Sequence, residues 1–300
     1  MDMTQNKCCR HGANLRRKRR RRRKIRHSVI FSCSIIAVIV FVAVGSRMIT
    51  SGDGGTNKYD VEARNNTYDN AVIENSKISE KNKIQNNQSM LDDIMNSTQY
   101  PKQLKDLALK NEEALEFVYD YPAEHVKEHT IDLTEEASMD SVPLFVQWDK
   151  RWGYEKYSGN FFAASGCGPT TLSMVVVYLT HNREASPIAV AKYSKEAGYS
   201  VDGSGSSWTL ISEGCMHYSV KAKTVALDES RMKAELDEGH PIVVNVGPGD
   251  FTDTGHFMVI TGYDDEGFSI NDPNSIEKSG KRWLFKNISS QIRAVWSMYV

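Results

Sequence analysis

The sequence has few cysteines, and they are not spaced to hold a metal or a disulfide framework. Five occur in 300 residues, and only Cys167 and Cys215 lie beyond residue 33. None forms a C-x-x-C pair, and no spacing of Cys and His resembles a zinc site. We therefore expect no metal, no cofactor and no scaffold of disulfides.

A second absence concerns residues 51–90, which contain no Leu, Phe, Trp or Pro. They hold eight Asn instead, with glycines near the start. Such a stretch cannot bury enough apolar surface to offset the conformational entropy of the chain. We therefore predict a flexible stalk over residues 47–89.

The chain also has little net charge, −1, but its charge is unevenly distributed. Residues 1–27 hold twelve Lys or Arg and one acid, whereas the remainder holds 25 basic and 37 acidic residues. Residues 28–46 are uncharged and, at ~1.5 Å per residue, span about 28 Å, close to the ~30 Å hydrocarbon core of a bilayer. The pattern predicts a basic cytoplasmic tail, 1–27, and a transmembrane signal anchor, 28–46, that contacts the lipid bilayer. By the positive-inside rule, we expect a single-pass protein of the cell membrane with the remaining chain outside the cell.

Two other interpretations of residues 28–46 stay open. A cleaved signal peptide would make the protein secreted, and Ala43-Val44-Gly45 could suit a signal peptidase. A buried core helix fits less well, because nothing polar marks a second face. The arginine run directly precedes the apolar span, which favours membrane topology and anionic lipid over a nucleic-acid partner.

Apolar residues at helical spacing return after residue 90. Leu104 and Leu107, then Leu115 and Val118, predict a helical lead-in over residues 90–140. Residues 141–300 change character midway: apolar helices come first, and short segments rich in β-branched and aromatic residues follow. We expect these strands at 242–246, 256–263, 268–272, 282–285 and 294–299. Helices followed by strands indicate an α+β domain with an antiparallel sheet.

Cys167 stands between two glycines at the predicted start of a buried helix. Pro169 suits the first turn of that helix. Unsatisfied N–H groups and the helix dipole meet at this end and favour an anion, so they lower the pKa of a thiol from ~8.5. An isolated G-C-G is better explained by a small residue in a tight loop-to-helix turn, so the assignment of a nucleophile depends on partners.

A thiolate nucleophile needs a base, and His256 begins one of the predicted strands. The other histidines of the domain, His181, His217 and His240, lie at helix ends or a strand start where a structural role suffices. The loop 205–208 is expected to cap a helix, with Trp208 in the core, rather than to line a cleft.

Asp272 ends the strand after His256 and could orient the base. A regular hairpin pairing Tyr263 with Phe268 would turn Asp272 away from His256. An odd-length loop or a β-bulge would place it opposite Met258, on the same face as His256 and within side-chain reach. We predict such a loop or bulge; otherwise Asn271 would be the orienting residue.

Gln147 precedes Cys167 by twenty residues, within F-V-Q-W-D. A side-chain amide beside the backbone N–H of a nucleophile is a common oxyanion hole. A rim glutamine beside a core tryptophan is the alternative. Each of these signals is weak alone, but the order Gln, Cys, His, Asp is more specific.

The chain resembles papain-like cysteine peptidases of the bacteriocin-processing type, the C-39-like peptidase group. The similar stretches are V-P-L-F-V-Q-W-D-K-R-W at 142–152, S-G-C-G-P-T-T at 165–171, G-H-F-M-V-I-T-G-Y at 255–263 and N-D-P-N at 271–274. The helices at 101–121 are similar to those that precede this domain in membrane-anchored bacterial members. The resemblance implies a papain-like α+β fold over 141–300, with Cys167 as nucleophile, His256 as base, Asp272 as orienting carboxylate and Gln147 as oxyanion donor.

The resemblance further implies a membrane-tethered extracellular cysteine peptidase that hydrolyses peptide or isopeptide bonds through a thioester acyl-enzyme. Its substrate would be a peptide or protein, cell-wall peptides among them. The better-known members cut leader peptides after a double glycine and are fused to a transporter, whereas this sequence has one apolar span and no P-loop. Two alternatives stay open: a transamidase with the same triad, and a catalytically silent peptide-binding module.

Overall fold

The structure, a computed structural model, describes the backbone of residues 58–300 and the side chains of residues 77–300. The predicted cytoplasmic tail, 1–27, and transmembrane anchor, 28–46, lie outside these residues. Residues Ile78–Val300 form one compact unit, which holds the helical lead-in and the α+β domain.

One long helix, Lys58–Asn96, occupies most of the segment predicted as a stalk. The sequence did not predict this helix. Residues 47–57 lie outside the described residues, and flexibility of the segment 47–89 stays a prediction. The composition argument excludes a packed core in this segment, but a helix satisfies its backbone groups internally and does not require one. No Gly or Pro interrupts the helix, and its many Glu, Lys and Gln residues favour helical backbone.

The predicted localisation also needs correction. Within the described residues, no helix is both long enough and apolar enough to cross a bilayer. The longest, Lys58–Asn96, has the length but carries charged residues along it. This finding contradicts the expectation of a single-pass membrane protein with an extracellular domain as far as the described residues go. Residues 28–46, on which the expectation rested, lie outside them.

The helical lead-in consists of short helices that pack on the domain. Their bounds are Lys102–Lys110, Glu112–Ala114 (a 3-10 turn), Leu115–Tyr119, Tyr121–Glu124 and Thr134–Ser138. Leu104, Leu107 and Val118 are buried in one cluster with Phe161 and Ala163, which lie just ahead of Cys167. The apolar spacing predicts a pair of helices here; the structure has five shorter helical pieces, and the cluster joins them to the domain.

The domain over 141–300 begins with helices. Their bounds are Phe162–Ser165, Cys167–Thr180, Pro187–Glu196, Thr209–Ser212, Gly214–Tyr218 (3-10), Glu229–Asp237, Ile276–Ser279, Phe285–Ile288 and Ser289–Gln291 (3-10). We call Cys167–Thr180 the central helix. It is buried along most of its length, as its nearly uniform apolar sequence predicts.

A six-stranded antiparallel sheet follows in the order β5-β10-β6-β7-β8-β9. Its strands are β5 (Lys221–Thr224), β6 (Ile242–Val246), β7 (His256–Asp264), β8 (Gly267–Asn271), β9 (Arg282–Trp283) and β10 (Ile292–Tyr299). Two small hairpins are formed by β1 (Lys156–Tyr157) with β2 (Asn160–Phe161) and by β3 (Ser200–Val201) with β4 (Gly205–Ser206). The predicted α+β architecture with an antiparallel sheet is confirmed.

Both faces of the sheet are covered, so its central strands carry apolar residues on both faces. Val243 and Val259 pack with the central helix in one core cluster. Val244 and Met258 belong to a second cluster with Met232 of the helix Glu229–Asp237. This explains why Ile242, Val243 and Val244 are apolar in succession rather than alternating with polar residues.

The β7–β8 hairpin contains the β-bulge predicted from the sequence. Tyr263 pairs with Phe268, but the register shifts between Ile260 and Gly262, so that Val259 pairs with Asn271. A regular continuation of the Tyr263 pairing would have placed Asp272 opposite Val259. The extra residue in β7 reverses the face that Asp272 would otherwise take, because successive side chains of a strand alternate between faces.

Candidate active site

Cys167 is the first residue of the central helix, as predicted, and two glycines let neighbouring groups approach it. A Cβ on Gly166 would lie 2.6 Å from the carbonyl oxygen of Phe162. A Cβ on Gly168 would lie 2.6 Å from Oγ of Ser206. The glycines therefore permit close packing on both sides of a thiol that remains partly exposed.

The imidazole of His256 is close enough to the Cys167 thiol to act on its pKa as a charged, hydrogen-bonding neighbour. Burial alone would raise the pKa of Cys167. The hydrogen bond and positive charge of His256, with backbone N–H groups of Phe257 and Gly168, outweigh burial and hold the pKa below its ordinary value. The thiolate, which is the nucleophilic form of cysteine, is thus favoured.

His256 is linked on its other side to Asp272. Nε2 of His256 lies 2.6 Å from Oδ1 of Asp272, and both side chains are nearly or fully buried. Burial alone would lower the pKa of His256, but the charge and hydrogen bond of Asp272, with those of Cys167, raise it to about 10. Because Nε2 faces Asp272, Nδ1 is the ring nitrogen left for the thiol.

The two pKa directions together describe an ion pair. The pKa of Cys167 is lowered and that of His256 is raised, so a proton shared by the two groups favours the imidazole over the sulfur. A buried imidazolium is stable here because the Asp272 carboxylate compensates its charge. The arrangement presents a thiolate to the solvent side and a proton donor beside it.

Asp272, rather than Asn271, contacts the base. Nδ2 of Asn271 donates to the carbonyl oxygens of Val142 and Pro143, at 3.1 and 2.9 Å. That amide therefore holds the start of the domain against β8, and the alternative of an orienting asparagine is not the one the structure adopts.

Gln147 is buried near this region, but it is not in contact with the thiol. Its Nε2 donates to the carbonyl oxygen of Ala163 at 2.7 Å, and its backbone N–H donates to that of Pro273 at 2.7 Å. No hydrogen bond of the described residues joins Gln147 to Cys167, and Gln147 does not line the cleft described below. Its predicted role in an oxyanion hole stays a prediction.

The other titratable candidates have structural contacts. His181 bonds to the carbonyl oxygen of Ala137, His217 stacks on Tyr193, and His240 contacts Glu235. Cys215 is fully buried, and burial raises its pKa to about 11. Within residues 77–300, no group of three or more His, Cys, Asp or Glu is placed to hold a metal ion.

A cleft of about 760 Å³ opens beside Cys167. Its lining comes from the segments 158–167 and 203–208, from 245–248 and 254–257 at the ends of β6 and β7 and in the loop between them, from Arg293, and from Gln103 of the lead-in. A second cavity, of about 630 Å³, lies beside Tyr193 and His217 and is not lined by Cys167. Of these two, the cleft is therefore the candidate for the functional site, because Cys167 lines it.

Two cleft residues were not anticipated from the sequence. Trp208, expected in the core above a capped helix, lines the cleft instead, and it is 47% exposed. Its ring meets the edge of Trp296 at 6.0 Å. Arg293 occupies an exposed position of β10. No local signal marks either residue, because only the folding of distant segments places them beside Cys167.

In this fold a helical layer packs on an antiparallel sheet. The helical layer carries a cysteine at the amino-terminal end of a helix, and the sheet carries a histidine. This arrangement is that of the α+β class of C39-like peptidase domains. The chain belongs to the Peptidase_C39 like family, whose model matches residues 139–300. This membership indicates a cysteine peptidase.

Solved structures with some likeness come from two bacterial proteins. The peptidase domain of Streptococcus ComA, a bi-functional ABC transporter involved in a quorum-sensing pathway, is 19% identical over 45% of this chain and 90% of that domain, with a TM-score of 0.37. A Bacillus anthracis protein described as a C39-like peptidase is 17% identical over 56% of this chain and 97% of its own, with a TM-score of 0.33. Likenesses of this degree carry no argument about activity. No curated protein matches the chain.

Proposed function

We propose that the protein is a cysteine peptidase that hydrolyses peptide or isopeptide bonds with Cys167 as nucleophile, His256 as proton donor and acceptor, and Asp272 as the carboxylate that orients His256. The single observation that supports this most is the continuous chain from the partly exposed thiol, through the imidazole, to a buried carboxylate 2.6 Å away. A structural cysteine would not need a base, and a buried ion pair with one partner in a cleft is costly to maintain without use.

The proposed reaction begins when the Cys167 thiolate attacks the substrate carbonyl carbon. The His256 imidazolium donates its proton to the departing amine, which leaves a thioester acyl-enzyme and a neutral imidazole. Water then attacks the thioester while His256 accepts its proton, and the acid is released as the thiolate–imidazolium pair re-forms. The carboxylate of Asp272 stabilises each imidazolium that forms.

The proposed oxyanion donor is Gln147, on the strength of its family motif. One N–H of its amide is used by the carbonyl oxygen of Ala163. The second N–H of the same nitrogen would serve the developing oxyanion together with a backbone N–H at the start of the central helix.

The test is the pH dependence of alkylation of the two described cysteines in the full chain, read by mass spectrometry. Cys167 should react well below the ~8.5 of a free thiol, whereas buried Cys215 should not. Cys167→Ala should abolish cleavage of a peptide library. Products formed in excess amine would separate hydrolysis from acyl transfer. Reaction of Cys167 only at ordinary thiol pH, or cleavage by Cys167→Ala, would contradict the proposal.

A further inference from the structure

The loop that follows Asp272 is held by residues of the helical lead-in. Nδ2 of Asn111 donates to the backbone oxygen and to Oδ1 of Asn274, at 2.9 and 3.1 Å. The indole N–H of Trp148 donates to the same backbone oxygen at 3.2 Å. These contacts join parts of the chain more than a hundred residues apart.

Glu113 adds a second set of contacts to this loop. Its carboxylate accepts hydrogen bonds from Oγ of Ser275, from the backbone N–H of Ile276 at 2.7 Å and from that of Glu277 at 3.1 Å. Charged acceptors make stronger hydrogen bonds than neutral ones, and backbone N–H groups at the first turn of a helix lack partners within it. One side chain thus fixes the start of the short helix Ile276–Ser279.

This loop determines where the Asp272 carboxylate points. Oδ1 of Asp272 accepts from the backbone N–H of Asn274 at 2.8 Å as well as from His256. The backbone N–H of Asp272 donates to Oγ of Ser279 at 2.9 Å. A shift of Asn274 or of the short helix would therefore turn the carboxylate relative to the imidazole.

We propose that Asn111 and Glu113 are positioning residues of the active site, which makes the helical lead-in a functional part of the peptidase. Both precede residue 139, where the match to the family begins. Gln103, from the same segment, lines the cleft beside Cys167. This inference rests on the proposed function, because it assigns the two residues a role through Asp272 and His256.

The test uses the full chain with Glu113→Ala and, as matched control, Glu116→Ala, an exposed acid three residues further on. In Glu113→Ala the pH midpoint of Cys167 alkylation should rise, because a misplaced carboxylate no longer holds the imidazolium. Turnover should fall about tenfold or more with little change in KM, since small displacements of catalytic groups act on the chemical step. Glu116→Ala should match the wild type in both.

A double-mutant cycle separates positioning from general destabilisation. With Asp272→Asn already present, adding Glu113→Ala should not shift the alkylation midpoint further. Glu113→Gln keeps one acceptor oxygen, so its alkylation midpoint should lie between those of the wild type and Glu113→Ala. If a thermal melt shows that Glu113→Ala is unfolded, Glu113→Gln is compared with the wild type instead. If the alkylation midpoint of the wild type is low, as proposed, and both Glu113 variants have the same midpoint as the wild type, the inference is overturned. An ordinary thiol midpoint in the wild type would instead overturn the proposed function.

A different observation concerns the charge of the cleft. Arg293 is the one cationic residue among those that line it, and it forms no ion pair with a residue of the described part of the chain. Its guanidinium lies against the backbone of Gly247, where a Cβ would meet Nε at 2.7 Å. A planar guanidinium with unused donors recognises carboxylates in two-point fashion. We infer that Arg293 forms a subsite for a carboxylate of the peptide substrate.

Two alkylating agents that differ only in charge test this subsite without a known substrate. Iodoacetate carries a carboxylate and iodoacetamide does not, so the ratio of their rates at Cys167 reports the cation in the cleft. The rate with iodoacetate divided by the rate with iodoacetamide should fall severalfold in Arg293→Gln. It should stay unchanged in Arg282→Gln, since Arg282 of β9 already pairs with Asp264 of β7. In a peptide library, Asp and Glu should be enriched near the cleavage site by the wild type and not by Arg293→Gln. An unchanged ratio, or unchanged enrichment in the variant, would overturn the subsite and leave the proposed function standing.

Discussion

Replacement of Asp272 by Asn gives the sharpest test of the electrostatics at the active site. The substitution keeps the size of the side chain and removes its charge. In the wild type the pKa of His256 is raised to about 10 from its ordinary 6.5, although burial alone would lower it. At ~1.4 kcal/mol per pH unit, this means several kcal/mol of stabilisation of the imidazolium, shared between Asp272 and the Cys167 thiolate. Without the Asp272 charge, the pKa of His256 should fall and that of Cys167 should rise.

The change narrows the pH range of the ion pair from both sides. The pair exists between the lowered pKa of Cys167 and the raised pKa of His256, so the acid limb of Cys167 alkylation should move up. The alkaline limb of peptidase activity should move down from near pH 10. At a pH below the Cys167 pKa in both proteins, each unit of increase in that pKa lowers the thiolate fraction tenfold. The more basic thiolate is itself about threefold more reactive, which offsets part of this loss. Alkylation at acidic pH should thus slow about threefold per unit.

Turnover should suffer more than alkylation, because it also needs the proton on the correct ring nitrogen. We expect kcat to fall by roughly two to four orders of magnitude, as is typical when the carboxylate of a triad becomes an amide. Asp265→Asn, in the exposed turn of the same hairpin, is the matched control and should behave as wild type. An alkylation profile identical in Asp272→Asn and wild type would refute the view that Asp272 is the source of the imidazolium's stability.

Two further predictions concern packing and an ion pair away from the site. Gly168→Ala should lower the free energy of unfolding by about 1–3 kcal/mol, because its Cβ would lie 2.6 Å from Oγ of Ser206. Urea unfolding measures this change. If the clash is its cause, adding Ser206→Gly to the same chain should restore part of the lost stability. Glu235 accepts from Lys223 and Ser297, which lower its pKa from 4.5 to about 2. Its stabilisation is full above pH 4.5 and lost as the pH falls through about 2. Glu235→Gln should therefore lower the melting temperature by a few degrees at pH 7 and flatten its decline in acid, and an unchanged acid profile would contradict this reasoning.

The pKa values at the site show which physical effect dominates. Burial pushes the proton toward the sulfur, since it raises the pKa of Cys167 and lowers that of His256. The observed directions are the opposite of both, so the Asp272 charge and the hydrogen bonds outweigh desolvation. Asp272 can do this because it is itself buried, where a charge acts through a low effective dielectric constant.

Much of the domain's local structure follows from sequence signals that act over a few residues. Pro187 with Ser186 starts a helix, and Oγ of Ser186 accepts from the N–H of Ala189 at 3.3 Å as a cap should. The apolar run after Cys167 predicted the central helix, and the strands were recognised from β-branched segments separated by turn residues. The requirement that Asp272 face His256 even predicted the bulge.

Contacts between distant segments could not be predicted in this way. The strand β5 pairs with β10, more than seventy residues later, and its polar sequence K-A-K-T carries no alternating apolar pattern. Trp208 reads equally well as a core or a cleft residue, because exposure depends on what packs above it. The helix over the predicted stalk was missed since a composition that excludes a core was taken to exclude regular backbone.

The sequence by itself determined the nucleophile, the base and the orienting acid as candidates, because each lies at a recognisable helix start or strand end. It also determined the α+β order from local periodicity, and the need for an odd-length loop or a bulge from the requirement that Asp272 face His256. Only the tertiary structure decided that Glu113 and Asn111 hold the loop after Asp272, and that Arg293 brings a positive charge into the cleft. The physical reason is that local conformation depends on neighbours in sequence, whereas hydrogen bonds between residues some 160 positions apart depend on how the whole chain packs.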